Sequence, residues 1–133
     1  MKIILKRKNN SSSYDVIFEH PGPALLLALF LTDDVGPDIE SYVKEFTADA
    51  DVAGAMNGTQ YSKDGDTVIF TYEFTDHSES IAKGHCFSIK AAVLALLLKL
   101  WKDVYVKHPP YITIEIKNNV PSVVGTDEQP DVL

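Results

Sequence analysis

Two stretches of eight consecutive apolar residues, 24–31 and 91–98, constrain this chain more than any other feature. A helix that is apolar all round must be covered on more than one side, so each stretch belongs between layers or in a subunit interface. Both fall far short of the roughly 20 residues that span a bilayer, so neither is a membrane helix. At 133 residues and 45% hydrophobic composition, the chain is long enough for one core and too short to expect two. A homodimer that packs these stretches across its axis is the alternative to burying them within one chain.

The rest of the pattern supplies strands and a helix pair. Residues 2–8 mix β-branched and basic side chains, and 14–19 alternate Tyr14, Val16 and Phe18 with Asp15, Ile17 and Glu19, which predicts two strands joined by a loop at 9–13. His20-Pro21-Gly22-Pro23 ends the second strand and opens a first helix that runs to Leu31. Pro37 and Asp38 open a second helix, whose buried stripe is Ile39, Tyr42, Val43 and Phe46, followed by an acidic small-residue connector at 49–57. The clearest β signal is a hairpin of 59–62 and 67–75 about the turn 63–66, with Val68, Phe70, Tyr72 and Phe74 expected to face inward. A weaker strand is read at 80–86. Ser88 is expected to cap a long helix reaching about Lys107, which His108-Pro109-Pro110 ends, and Tyr111–Lys117 forms a last strand.

After Asn118-Asn119 the chain has few large hydrophobes and three acids, so residues 119–133 are expected to be a disordered acidic tail and 1–118 the domain. The order β-β-α-α-β-β-(β)-α-β, with hairpins instead of regular β-α-β alternation, predicts a single-domain α+β fold. A mainly antiparallel sheet would pack against the long C-terminal helix and the shorter helix pair.

Charge is segregated. Between positions 33 and 79 lie twelve carboxylates and two cations, Lys44 and Lys63, a net of −10, whereas the remainder sums to +3 within the overall −7. Such a field attracts cations and basic proteins, and it disfavours the phosphate contacts of nucleic-acid binding and the approach to an anionic membrane. Asp33, Asp34, Asp38, Glu40, Asp49, Asp51, Asp64, Asp66, Asp76 and Glu79 are therefore the candidate partner-binding residues. Reversing Asp33, Asp34 and Asp38 to Lys is expected to slow association while leaving the melting temperature nearly unchanged. The N-terminal apolar run is only three residues long before Lys6-Arg7-Lys8, which does not make a signal peptide, and the lone Cys86 makes no intramolecular disulfide framework. Both point to a cytoplasmic protein.

Catalytic and metal chemistry find little footing. Cys86 stands next to His85, and His20, His77 and His108 lie far apart in sequence, so a Cys/His nucleophile is conceivable, but a small buried thiol before a helix explains the residue better. Metal ligands at zinc spacing are lacking, and turn chemistry accounts for Asp64-Gly65-Asp66 better than a calcium site with Asp49 and Asp51. Glu73 and Glu115 alternate onto solvent faces of their strands. The glycines are scattered among turns and form no phosphate loop. No cofactor is expected.

A small acidic α+β domain with this acid-rich stretch, from Asp33-Asp34 to Glu79, and no export signal resembles the immunity proteins that neutralise bacterial nuclease toxins, including those of contact-dependent inhibition systems. The resemblance implies a non-enzymatic inhibitor whose carboxylates pair with the Lys and Arg residues with which a toxin nuclease grips nucleic acid. Two other readings remain. One is a dimeric acidic chaperone for a secreted protein, which would leave an apolar face around residues 91–101 for its dimer or client. The other is a small enzyme using Cys86 and a histidine.

Overall fold

The computed structural model describes residues 1–36, 38–55 and 58–132. It is an α+β domain built on two four-stranded antiparallel sheets. The first sheet contains β1 (Lys2–Arg7), β2 (Tyr14–His20), β7 (Tyr111–Lys117) and β8 (Val120–Thr126), in the order β2-β1-β7-β8. The second contains β3 (Val52–Ala55), β4 (Thr59–Asp64), β5 (Thr67–Tyr72) and β6 (Phe87–Lys90), in sequence order. Among the described residues four α-helices complete the fold: α1 (Leu25–Leu29), α2 (Ile39–Thr47), α3 (His77–Ala82) and α4 (Ala91–Tyr105).

Both apolar stretches go inside, as their composition demands. A 3-10 turn at Gly22–Ala24 leads into α1, and the chain continues as a π-helical segment, Phe30–Val35, that keeps Phe30, Leu31, Asp34 and Val35 buried. In α4, Ala91, Val93, Leu94, Ala95, Leu97, Leu98 and Trp101 are buried. All of these but Ala95 join Ile3, Leu5, Ile112 and Ile114 of the first sheet and Tyr61, Val68, Phe70 and Ile89 of the second in one apolar cluster. Within it Phe30 is ringed by Phe70, Tyr42, Tyr61 and Phe46, at centroid distances of 4.8, 5.1, 5.9 and 6.1 Å. Along α4 only Leu96, 47% exposed, stands out among the large apolar side chains. The apolar face that a dimeric chaperone would leave open is closed within one chain.

Several expectations need correction. Residues 119–133 were expected to be disordered, yet Val120–Thr126 is strand β8, paired with β7 from Lys117↔Val120 to Tyr111↔Thr126. The turn is Asn118-Asn119, both at positive φ (51° and 61°), the conformation of a two-residue hairpin loop that asparagine tolerates. Pro121 fits because its partner Ile116 exchanges backbone hydrogen bonds with Met1 (3.0 and 3.1 Å), which leaves Pro121, lacking an N–H, facing the open edge. Beyond β8, Lys2 Nζ donates to the Asp131 carbonyl at 3.0 Å, tying the terminal segment to β1.

The sequence predicts a strand at 80–86, but residues 77–82 are α3, and β6 begins at Phe87. Asp76 caps that helix through Oδ1, which accepts the Glu79 amide at 2.9 Å, and Gly84 ends it at φ +74°. Ser88 does not cap α4. It lies in β6, and the helix starts only after Lys90, with the first amide, Ala91, donating to the Asp66 carbonyl at 2.7 Å. The connector contains an edge strand, β3. Strand β5 stops at Tyr72, so Tyr72 and Phe74, expected inward, are 42% and 94% exposed. Pro37, expected to open the second helix, and Met56 and Asn57 of the connector lie outside the described residues.

Candidate partner-binding surface

The second sheet distributes the acidic residues. Of the ten candidates, nine stand in solvent and one does not. Asp34 is 6% exposed. Its Oδ1 accepts the Gly58 amide at 3.0 Å, and its Oδ2 accepts the Thr59 amide at 3.2 Å and the Thr59 hydroxyl at 2.5 Å. A buried carboxylate with three donors is an internal pin that fastens the π-helical segment to the start of β4. Asp34 is thus removed from the surface, and the expectation that its reversal to Lys spares the fold is corrected with it.

Eight of the other nine fall at two ends of β4 and do not make one face; the ninth, Glu40, lies on α2 against Lys102. At the Thr59 end Asp33 packs by Gly58, whose position would place a Cβ 3.5 Å from Asp33 Oδ2, and the Gly58 carbonyl accepts the Glu73 amide at 3.3 Å. Asp38 follows closely, its amide donating to the Val35 carbonyl at 3.0 Å, and Asp76 and Glu79 lie just beyond the end of β5 in the cap of α3. At the Asp64 end Asp51 Oδ1 accepts the Gly65 amide at 3.0 Å, while Asp49 and Asp66 line a groove of about 500 Å³ with Phe46, Lys63 and Ala91. The six residues of β4 separate these groups by about 17 Å. That exceeds the Debye length of roughly 8 Å at physiological ionic strength, so the two patches act as separate fields there.

Local pairing thins the free charge further. Glu40 pairs with Lys102 of α4, and that hydrogen bond holds its carboxyl below the usual range and the Lys102 ammonium above its own. Asp66 pairs with Lys90 at 3.1 Å, which lowers its carboxyl likewise, and Glu79 pairs with Lys83 at 2.6 Å. Asp33, Asp38, Asp49 and Asp64 are exposed and, among the described residues, have no ion-pair partner. Of the two lysines in the acidic window, Lys63 is turned inward. Its ammonium donates to the Ala48 and Ala50 carbonyls at 2.5 and 3.1 Å, where a cation complements the end of α2. It balances a helix terminus and, among the described residues, pairs with no carboxylate.

Polar groups that sequence reasoning passed over complete the neighbourhood. Tyr61 donates to Glu45, its Oη lying 2.8 and 2.9 Å from the two carboxylate oxygens, and burial together with that bond pushes the phenol far up from its ordinary value. His77 sits between Ser62 Oγ (2.9 Å from Nε2) and Thr71 Oγ1 (2.7 Å from Nδ1), pinning α3 to the outer face of the second sheet. Burial lowers its pKa, against the nearby Asp76. His77 is therefore committed away from Cys86, which is half-buried beside a pocket of about 210 Å³ with Tyr72 and His85. Among the described residues no three His, Cys, Asp or Glu side chains gather as a metal-holding group, and no helix is long and apolar enough to cross a membrane. No protein-family model, curated protein or solved structure matches the chain.

Proposed function

We propose that this chain is a non-enzymatic protein-binding domain that presents carboxylates to a cationic protein, acting in the cytoplasm as an immunity protein against a nuclease-type bacterial toxin. The observation that carries the reading is the set of exposed, unpaired carboxylates, Asp33 and Asp38 at one end of β4 and Asp49 and Asp64 at the other, with Lys63 withdrawn from the surface. Unpaired surface charge contributes little to folding and much to the rate and specificity of encounter with an oppositely charged partner. The closure of α4 within one chain weighs against the chaperone reading.

The test is association of the purified chain with a nuclease-type toxin domain, sought among the neighbours of its gene, together with protection of cells that express that toxin. The Asp33→Lys/Asp38→Lys and Asp49→Lys/Asp64→Lys variants should keep the wild-type melting temperature. One of them should slow association several-fold at low salt and less at high salt. Unchanged association rates and salt dependence in both variants would reduce the acidic window to ordinary solvated surface and remove the basis of the proposal.

A further inference from the structure

Phe74 is 94% exposed, yet the turn that carries it is held firmly. The Tyr72 carbonyl accepts from Thr75 N at 3.3 Å, Thr75 Oγ1 at 2.7 Å and Gln60 Nε2 at 3.0 Å. Gln60 Nε2 also reaches the Thr75 carbonyl at 2.6 Å, and Ser80 Oγ donates to Thr75 Oγ1 at 3.0 Å. An aromatic ring in water at the apex of an ordered turn, with Tyr72 half exposed beside it, has the form of an interface anchor, because little conformational entropy is left to lose when it docks. Carboxylates flank it on both sides. Glu73 lies within the turn, Asp76 and Glu79 follow it, and Asp33 approaches through Gly58. Lys83 is nearby and is paired with Glu79.

We propose that Phe74 anchors a docking surface for a partner protein whose contact segment combines large apolar side chains with lysine and arginine. The inference rests on the reading that the domain binds a cationic protein, and it adds the place and chemistry of contact. Charge complementarity selects this occupant over a second copy of the chain, since a two-fold contact through the turn would set Glu73 and Asp76 against like charges.

The probe is a phage-displayed library of random peptides, panned against the immobilised full chain, with the selected peptides then measured on both wild type and Phe74→Ser. That variant should melt with the wild type because the ring is exposed. Selected peptides should combine a large apolar residue with Lys or Arg and bind Phe74→Ser at least about tenfold more weakly. The Asp33→Asn/Glu73→Gln variant should weaken them at low salt and not at high salt. Peptides that bind Phe74→Ser as well as wild type, or no peptides selected at all, would overturn the anchor while leaving the charge reading to its own test. Peptides that need Phe74 but carry no excess of basic residues, and ignore the charge variant, would overturn the cationic partner beneath it. A wild-type dimer that Phe74→Ser converts to monomer would identify the occupant as a second copy and overturn the proposal.

Discussion

Replacing Asp34 by Ala should destabilise the protein severely, whereas the same change at Asp33 should be almost silent. Asp34 Oδ2 takes the amide and hydroxyl of Thr59, a residue with 0% exposure, so the alanine variant leaves the Thr59 amide buried without an acceptor. An unsatisfied buried donor costs about 1–3 kcal/mol, and the lost bonds to a charged acceptor count about 1.5–3 kcal/mol each. The half-buried Gly58 amide can recruit water, the Thr59 hydroxyl can rotate, and removing the charge recovers part of its desolvation cost. The balance is a loss of about 2–4 kcal/mol. With a urea m-value of roughly 1–3 kcal/mol/M, the unfolding midpoint falls by about 1–3 M at unchanged m. Asp34→Asn keeps one acceptor but turns an amide NH2 toward donors, so it should fall between alanine and wild type. Asp33→Ala, at an exposed side chain, should stay within about 0.5 kcal/mol. An Asp34→Ala midpoint indistinguishable from wild type, or an equal loss at Asp33, would refute the pin. For the same reason a charge reversal that includes Asp34 reports on folding, and of the triple Asp33, Asp34 and Asp38 the first and last alone can be reversed to test the surface.

Gly54→Ala should also destabilise, by about 1–3 kcal/mol, because its Cβ would sit 2.7 Å from Tyr61 Oη and 2.8 Å from two ring atoms, forcing the buried ring off Glu45; a chemical denaturation midpoint matching wild type would show that edge strand β3 yields freely. His77 should make stability depend on pH. Its folded pKa is lowered by burial below the ordinary 6.5, so as pH falls past 6.5 the unfolded chain takes up a proton that the folded chain resists, and stability declines until the folded pKa is passed. His77→Gln, which keeps a donor and an acceptor for Ser62 and Thr71, should flatten the melting-temperature difference between pH 7.5 and pH 5.5; an unaltered difference would mean that this histidine plays no part in it.

The fold class, the burial of both apolar stretches and the hairpin of β4 and β5 are legible because each rests on local hydropathy period and turn chemistry. Two errors were also local and readable. Asn118-Asn119 is a hairpin signal that the polar composition of the tail masked, and Asp76-x-x-Glu79 with Gly84 is a helix start and stop that a strand reading ignored. Tyr72 and Phe74 were placed inward because alternation was continued past the turn where β5 ends. Asp34 belongs to another category. Its partners lie 24 and 25 residues away and meet it only because the π-helical segment sets it, and not Asp33, over the start of β4. No local pattern distinguishes these two adjacent aspartates.

Charge segregation along the sequence was plain, but its meaning changes in space. A window of −10 suggests one strong field. Folding breaks it at β4, whose extended backbone holds the two groups about 17 Å apart, while Lys102, Lys90 and Lys83, all from outside the window, neutralise Glu40, Asp66 and Glu79. What is left for a partner is a pair of small patches, each felt separately at physiological salt. They are not equivalent. At the Thr59 end the carboxylates accompany an ordered, exposed aromatic, so on the proposed reading charge there would steer an encounter that burial of Phe74 then holds, whereas Asp49, Asp51 and Asp64 at the other end have, among the described residues, no exposed large hydrophobe beside them in the chain. An interface needs both a fast approach and a slow departure, and only the first end supplies residues for each.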